Sequence, residues 1–176
     1  MDSFAEHGLV AATTADVAAR AGVSQPYVVR LFGTKQTLVL AAIGACFERV
    51  ADTFRDAAAA AEDVGTPERL GAMGAAYAAL LEDRRTLRLQ LAAYSAAADD
   101  PEIGDAVRSG YAELVGLVHD LSGATGDDLM RFFAQGMLLN VIAATDLGKV
   151  AEGHEALRGL MAAALGDEPG RADATR

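Results

Sequence analysis

Val17, Ala18, Ala21, Val23, Val28 and Phe32 recur at a spacing that gives one apolar face across two short helices. The polar positions punctuate that pattern. Thr13-x-x-Asp16 is a capping-box-like start, with Asp replacing the usual Glu or Gln, and predicts a helix from about Thr14 to Ala21. Gly22 supplies the left-handed turn that glycine adopts most cheaply. Ser24 caps a second helix with Pro26 in its first turn, where a missing N–H costs nothing. Gly33-Thr34 ends that helix, and Thr34 caps a long one from about Lys35 to Ala61. Upstream, Phe4 to Leu9 reads as the last turns of an opening helix stopped at Gly8.

Beyond the long helix, Val64-Gly65-Thr66-Pro67 is a turn with a cap and a proline at the first helical position. Further helices are expected at about Pro67–Glu82, Arg84–Ala98, Pro101–Leu121, Asp127–Leu147 and Glu152–Leu165. Asp99-Asp100-Pro101 and Ser122-Gly123-Ala124-Thr125-Gly126 are the clearest breaks. The chain has no internal repeat at solenoid spacing.

Composition agrees with an all-α fold. The 176 residues are 52% hydrophobic and rich in alanine, with only four prolines and no tryptophan. That supports one sizeable core or two small ones. The expected organisation is a helix-turn-helix head over residues 1–45 with an incomplete first helix, a helical ligand-binding and dimerisation domain over 46–166, and a disordered tail over 167–176, rich in Gly, Pro and charge. A single cysteine, Cys46, excludes an internal disulfide framework and fits a reducing compartment. Met1-Asp2-Ser3 lacks a basic start, and no apolar run is long and charge-free enough to span a bilayer. A soluble cytoplasmic protein with no membrane partner is expected.

The net charge of −10 is the wrong sign for a simple nucleic-acid binder. Its distribution changes the picture. From Val17 to Phe47 there is no acid, and there are three bases, Arg20, Arg30 and Lys35. A locally positive head on an acidic body suits a specific DNA binder with a separate regulatory domain.

A helix that reads DNA must fit the major groove and place its first turns against base edges. Its supporting helix must cross it on small residues, and Ala18, Ala21 and Gly22 are such residues. Gln25, Tyr27, Val29 and Arg30 are expected on the face opposite Val28 and Phe32. Gln25 suits adenine, and Arg30 suits guanine or phosphate. Tyr27 suits a phosphate or a thymine methyl group. Thr14 and Lys35, each at a helix N-terminus, suit phosphates. The caps, the glycine turn and their spacing together make a helix-turn-helix and point to gene regulation.

These residues resemble the TetR (tetracycline repressor) family of bacterial one-component regulators. The resemblance is carried by Thr13-Thr14-x-x-Val17-Ala18-x-x-Ala21-Gly22-Val23-Ser24, then Val28, Phe32, Thr34-Lys35 and Leu38, with Phe4-Ala5-Glu6-His7-Gly8 matching the end of the family's first helix. It covers residues 4 to about 45; the rest agrees in length and helical content. The resemblance implies a homodimer that binds a palindromic double-stranded DNA operator, usually as a repressor, and releases it when a small molecule enters the C-terminal domain. It places Thr14 and Lys35 at phosphate contacts, and Gln25, Pro26, Tyr27 and Arg30 on the base-facing surface. Val29 stands where the family usually has Tyr, and Leu31 where His or Tyr is common. Of the family's longer first helix and basic arm only the last turns are matched here: either Met1 is not the true start, or the chain is truncated, or the DNA-binding head is weakened, and a shortened first helix implies lower stability and DNA affinity. The alternative expectation is therefore a small-molecule-binding protein with weak or lost DNA binding.

In the body, Asp128 to Ile142 is too apolar for a surface helix, so it is buried or packs on a partner chain. The last helix has one apolar stripe of Leu157, Leu160, Met161 and Leu165. By resemblance, these two helices form a four-helix dimer interface, with Phe132, Gly136, Leu139, Ala143, Leu157, Leu160 and Met161 as candidates. Candidate contacts for an unidentified small-molecule effector are Tyr77, Gln90, Tyr94, Tyr111, Phe133 and Asn140, polar or aromatic residues on otherwise apolar segments. His119 and His154 lack metal-ligand partners at helical spacing, so no metal is expected. There is no Gly-rich phosphate loop, nucleophile elbow, HExxH or CxxC, so neither cofactor nor catalysis is expected.

Overall fold

The structure is a computed structural model that describes Leu9 and residues 13–61 and 64–166. The opening-helix expectation over Phe4–Gly8 and the tail over 167–176 lie outside the described residues. All regular elements among those described are helical: α1 (Thr14–Ala21), α2 (Gln25–Phe32), α3 (Lys35–Ala60), α4 (Thr66–Leu80), α5 (Arg84–Ala96), α6 (Pro101–Ser122), α7 (Gly126–Thr145), a 3₁₀ segment (Leu147–Gly153) and α8 (Glu155–Leu165). No single helix among them is long and apolar enough to cross a membrane.

The chain clusters into two compact units, one of residues 1–52 and 83–117, the other of 53–82 and 118–176. In the first unit, α3 carries an apolar stripe of Val39, Ile43, Cys46, Phe47 and Val50 at helical spacing. These residues are buried, as are Leu87, Leu89 and Ala93 of α5 and Ile103 and Leu114 of α6. The α6 backbone comes close to α3 at Gly110, where a Cβ would stand 2.5 Å from the Phe47 ring. Asp100 caps α6, its carboxylate accepting from the backbone N–H of Glu102 at 2.9 Å and of Ile103 at 3.1 Å. The same carboxylate accepts from the Gln36 amide at 3.0 Å, which ties the start of α3 to the start of α6. The buried Cys46 thiol donates to the Thr86 carbonyl at 3.8 Å, and burial pushes its pKa up to about 11.

In the second unit, Phe54, Tyr77, Phe132 and Phe133 make an aromatic cluster with ring centroids 5.4 to 6.0 Å apart. Arg69 of α4 donates to three backbone carbonyls, those of Ala61, Val64 and Leu121. Thr66 donates to the Ser122 carbonyl at 2.7 Å, so side chains satisfy helix ends that would otherwise hold unpaired groups.

The last expected helix begins later than its apolar pattern suggests. Asp146 closes α7 in the left-handed region at φ 52°, a 3₁₀ turn covers Leu147–Gly153, and α8 starts at Glu155. Two glycines, Gly148 and Gly153, weaken a continuous α-helix there.

Candidate nucleic-acid interface

Each end of the two head helices is held by a group that the sequence supplies locally. Thr13 Oγ1 accepts from the Asp16 backbone N–H at 3.2 Å, and Asp16 Oδ2 accepts from the Thr13 N–H at 2.8 Å. That reciprocal pair is a complete capping box built with aspartate. Gly22 turns the chain at φ 67°, its N–H reaching the carbonyls of Ala18 and Ala19. Ser24 Oγ then accepts from the Tyr27 N–H, starting α2 with three residues between it and the end of α1. Gly33, at φ 72°, donates to the Val29 carbonyl at 2.8 Å and closes α2. Thr34 Oγ1 accepts from the Thr37 N–H at 3.1 Å and opens α3.

Two helices joined by this short turn place the candidate DNA residues as follows. Gln25, Pro26, Tyr27, Arg30 and Lys35 are exposed, and Thr14 is half-buried. The Gln25 amide donates to Thr14 Oγ1 at 3.2 Å, joining the first turn of α2 to the first turn of α1. The Arg30 guanidinium lies over the Tyr27 ring, 5.4 Å from its centroid. Val29, on the exposed side of α2, is 44% accessible.

The apolar face of the head is less enclosed than its periodicity suggests. Ala18 and Val28 are buried, Val17 and Phe32 are half-buried, and Ala21 and Val23 are exposed. A cleft of about 330 Å³ opens along this face between α1, α2 and α3. Tyr27 and Leu31 border it beside Val28 and Phe32, so Tyr27 sits at the flank of α2 rather than directly opposite the core.

The candidate effector residues fall into two pairs and two separate side chains. Gln90 donates to the Tyr94 hydroxyl at 3.0 Å in the first unit. They line a small cavity of about 10 Å³ with Ile43, Cys46, Phe47, Val50 and Ala93, room for about one water. Tyr77 donates to Asn140 Oδ1 at 2.9 Å in the second unit, where Asn140 is 1% exposed. The Asn140 amide nitrogen donates to the weak acceptor Met137 Sδ at 3.7 Å. Phe133 packs edge-on against Phe132. Tyr111 is half-buried, and burial raises its pKa. A cleft that the motifs did not flag, about 320 Å³, lies in the second unit among Leu70, Gly74 and Ala78 of α4, Phe132 and Gln135 of α7, and Leu165 of α8.

Among the candidate dimer residues, Leu139 is 3% exposed within the single chain, and Phe132 packs edge-on against Phe54 with centroids 5.4 Å apart. Gly136, Ala143, Leu157 and Met161 are half-buried, and Leu160 is exposed. The large apolar side chains most exposed on α7 are Met130, Met137 and Val141, at seven- and four-residue spacing.

Residues 1–42 match the family model of bacterial regulatory proteins, tetR family. A solved structure, described as that of a transcriptional regulator from Pseudomonas aeruginosa PAO1, superposes with a TM-score of 0.59 at 27% sequence identity. The match covers 81% of this chain and 72% of that one. No curated protein matches the chain.

Proposed function

We propose, from the premise that this chain is a regulator of the tetR family with its DNA-binding head at the N-terminus, that it is a homodimeric repressor released from its operator by a small molecule. The observation that carries this reading is the pair of capped helices joined at Gly22, with Gln25, Pro26, Tyr27 and Arg30 exposed on the second. A helix so exposed fits the major groove. Thr14 and Lys35, at the N-termini of α1 and α3, contact phosphates on either side. Residues 1–45 are the reader, and residues 46–166 carry dimerisation and effector binding.

The dimer forms through α7 and α8. Met130 at 59%, Val141 at 49% and Leu160 at 47% exposure leave an apolar stripe uncovered, with Met137, Ala143, Leu157 and Met161 beside it. Gln90 with Tyr94, and Tyr77 with Asn140, are the polar groups assigned to effector recognition. Each pair is already hydrogen-bonded, so a ligand binds there by replacing a bond rather than by meeting an empty donor.

The test is selection of sequences from a random duplex pool by the purified chain, followed by titration over a range of salt. A palindromic consensus, bound less tightly as salt rises, supports the reading. Enrichment of no sequence overturns it in favour of a small-molecule-binding protein without operator activity.

A further inference from the structure

We propose that the head itself holds a ligand site: the cleft between α1, α2 and α3 takes a medium-chain anionic amphiphile, its alkyl chain inside and its carboxylate on Arg30. The cleft and its ligand stand apart from the DNA-binding reading above; only the effect on DNA rests on it. The cleft measures about 330 Å³ and lies wholly within the first unit. Small-molecule sites span roughly 300–1,000 Å³, so this one has room for a single small ligand. Of the eleven side chains that line it, only Tyr27 carries a polar atom. A ligand body with its own donors or acceptors would lose its water there without gaining partners, so the body that fits is hydrocarbon. Small residues make the space. Ala41 and Ala45 lie one turn apart on α3 and are exposed, with Ala42 buried beside them. Leu31 at 61%, Tyr27 at 45% and Val23 at 39% exposure leave apolar walls that an alkyl chain would cover.

The charge around the cleft selects the headgroup. Residues 17–45 supply every lining side chain, and they hold no acid but three bases, Arg20, Arg30 and Lys35. Arg30 is the one placed for a carboxylate. Its guanidinium stands over the Tyr27 ring, 5.4 Å from the centroid, and Tyr27 borders the cleft. A carboxylate at that rim accepts two parallel hydrogen bonds from the planar fork, which a neutral chain end cannot do. Tyr27 and Arg30 also belong to the exposed face assigned to DNA, so ligand and DNA compete for the same positive charge. An occupied cleft therefore lowers operator affinity from within the head, with no signal needed from residues 46–166.

The experiment titrates the full chain by calorimetry with hexanoate, octanoate, decanoate and neutral octanol, each below its micelle concentration. One octanoate is expected per chain, bound roughly tenfold more tightly than octanol. Each added methylene is expected to tighten binding by up to roughly fourfold. Arg30→Gln is expected to erase the preference for octanoate over octanol. Ala41→Leu and Ala45→Leu each fill the cleft with a good helix former, and each is expected to abolish binding with the circular dichroism unchanged. Octanol bound as tightly as octanoate overturns the headgroup assignment. Octanoate still bound by either folded leucine variant, or not bound by the unaltered chain, overturns the site. Binding that weakens as the protein is concentrated means that a second copy covers the cleft, and overturns it as well. Octanoate is also expected to release the chain from its selected duplex, and release retained by Ala41→Leu overturns the competition. If no duplex is selected, the DNA-binding reading fails, and the titration alone still decides the site.

Discussion

Gly110 has no room for a side chain. A Cβ there would press on the Phe47 ring, and the ring is fixed in the core of the first unit. Gly110→Ala is expected to cost about 1–3 kcal/mol as an overpacking change, read as a lower urea midpoint. Phe47→Leu in the same chain should recover part of the loss, and no recovery would place the fault elsewhere. Thr86 presents the opposite case. Its side chain is fully buried, and Oγ1 has no hydrogen-bond partner. Thr86→Val exchanges that hydroxyl for a methyl group of similar shape, and a gain of about 1 kcal/mol is expected. A thermal midpoint that stays level or falls would count against an unsatisfied hydroxyl. Neither position stands out in the sequence, because both depend on what long-range packing brings against them.

The helices of the head were legible because their ends are made by neighbours in the chain. Thr13 with Asp16, Gly22, Ser24 and Gly33 each act within four residues, so their roles can be read without the fold. The start of α6 adds a longer link. The backbone N–H of Ile103, then the Gln36 amide, hold the Asp100 carboxyl below its ordinary value of 3.8. A carboxyl whose pKa is lower in the folded chain contributes stability above the unfolded value and loses it as pH falls through the folded one. The chain should therefore lose stability as pH drops below about 3.8, other carboxyls contributing alongside. Asp100→Ala should lower the thermal midpoint at neutral pH and flatten this acid limb. An acid limb of unchanged steepness would assign it to other carboxyls. The cap was visible as Asp99-Asp100-Pro101, but Gln36 was not, since 64 residues separate it from its partner.

At the scale of the molecule, α7 shows where sequence reading stops. From Leu129 to Ile142 the polar residues are Arg131, Gln135 and Asn140, and Asn140 is buried while the other two are exposed, so polarity alone does not indicate which side faces inward. Packing decides it: Leu139 and Asn140 turn to the core, and Met130, Met137 and Val141 turn out. The difference is testable. Met137→Glu places a charge on the proposed contact between copies and should yield a folded monomer by sedimentation, with much weaker binding to a two-half-site operator. Leu139→Ala instead removes core volume and should cost about 2–5 kcal/mol of folding stability. A dimer unaffected by Met137→Glu would move the contact off this face.

The chain's lone sulfhydryl sits on α3 with 4% of its surface open, bonded to the Thr86 carbonyl. Its pKa is raised from 9.0 to about 11 by burial, so the neutral thiol is favoured in the fold. The stability this brings is present below about 9 and is lost as pH climbs through about 11. The native protein should leave Ellman's reagent colourless at neutral pH and react once unfolded; prompt colour in the native state would contradict this. Buried and neutral, this thiol is shielded from oxidants in the folded chain. The chain also arrives ready for spectroscopy: a second cysteine placed on the exposed side of α2 can carry a fluorophore or spin label alone, with Cys46 left in place as a silent bystander.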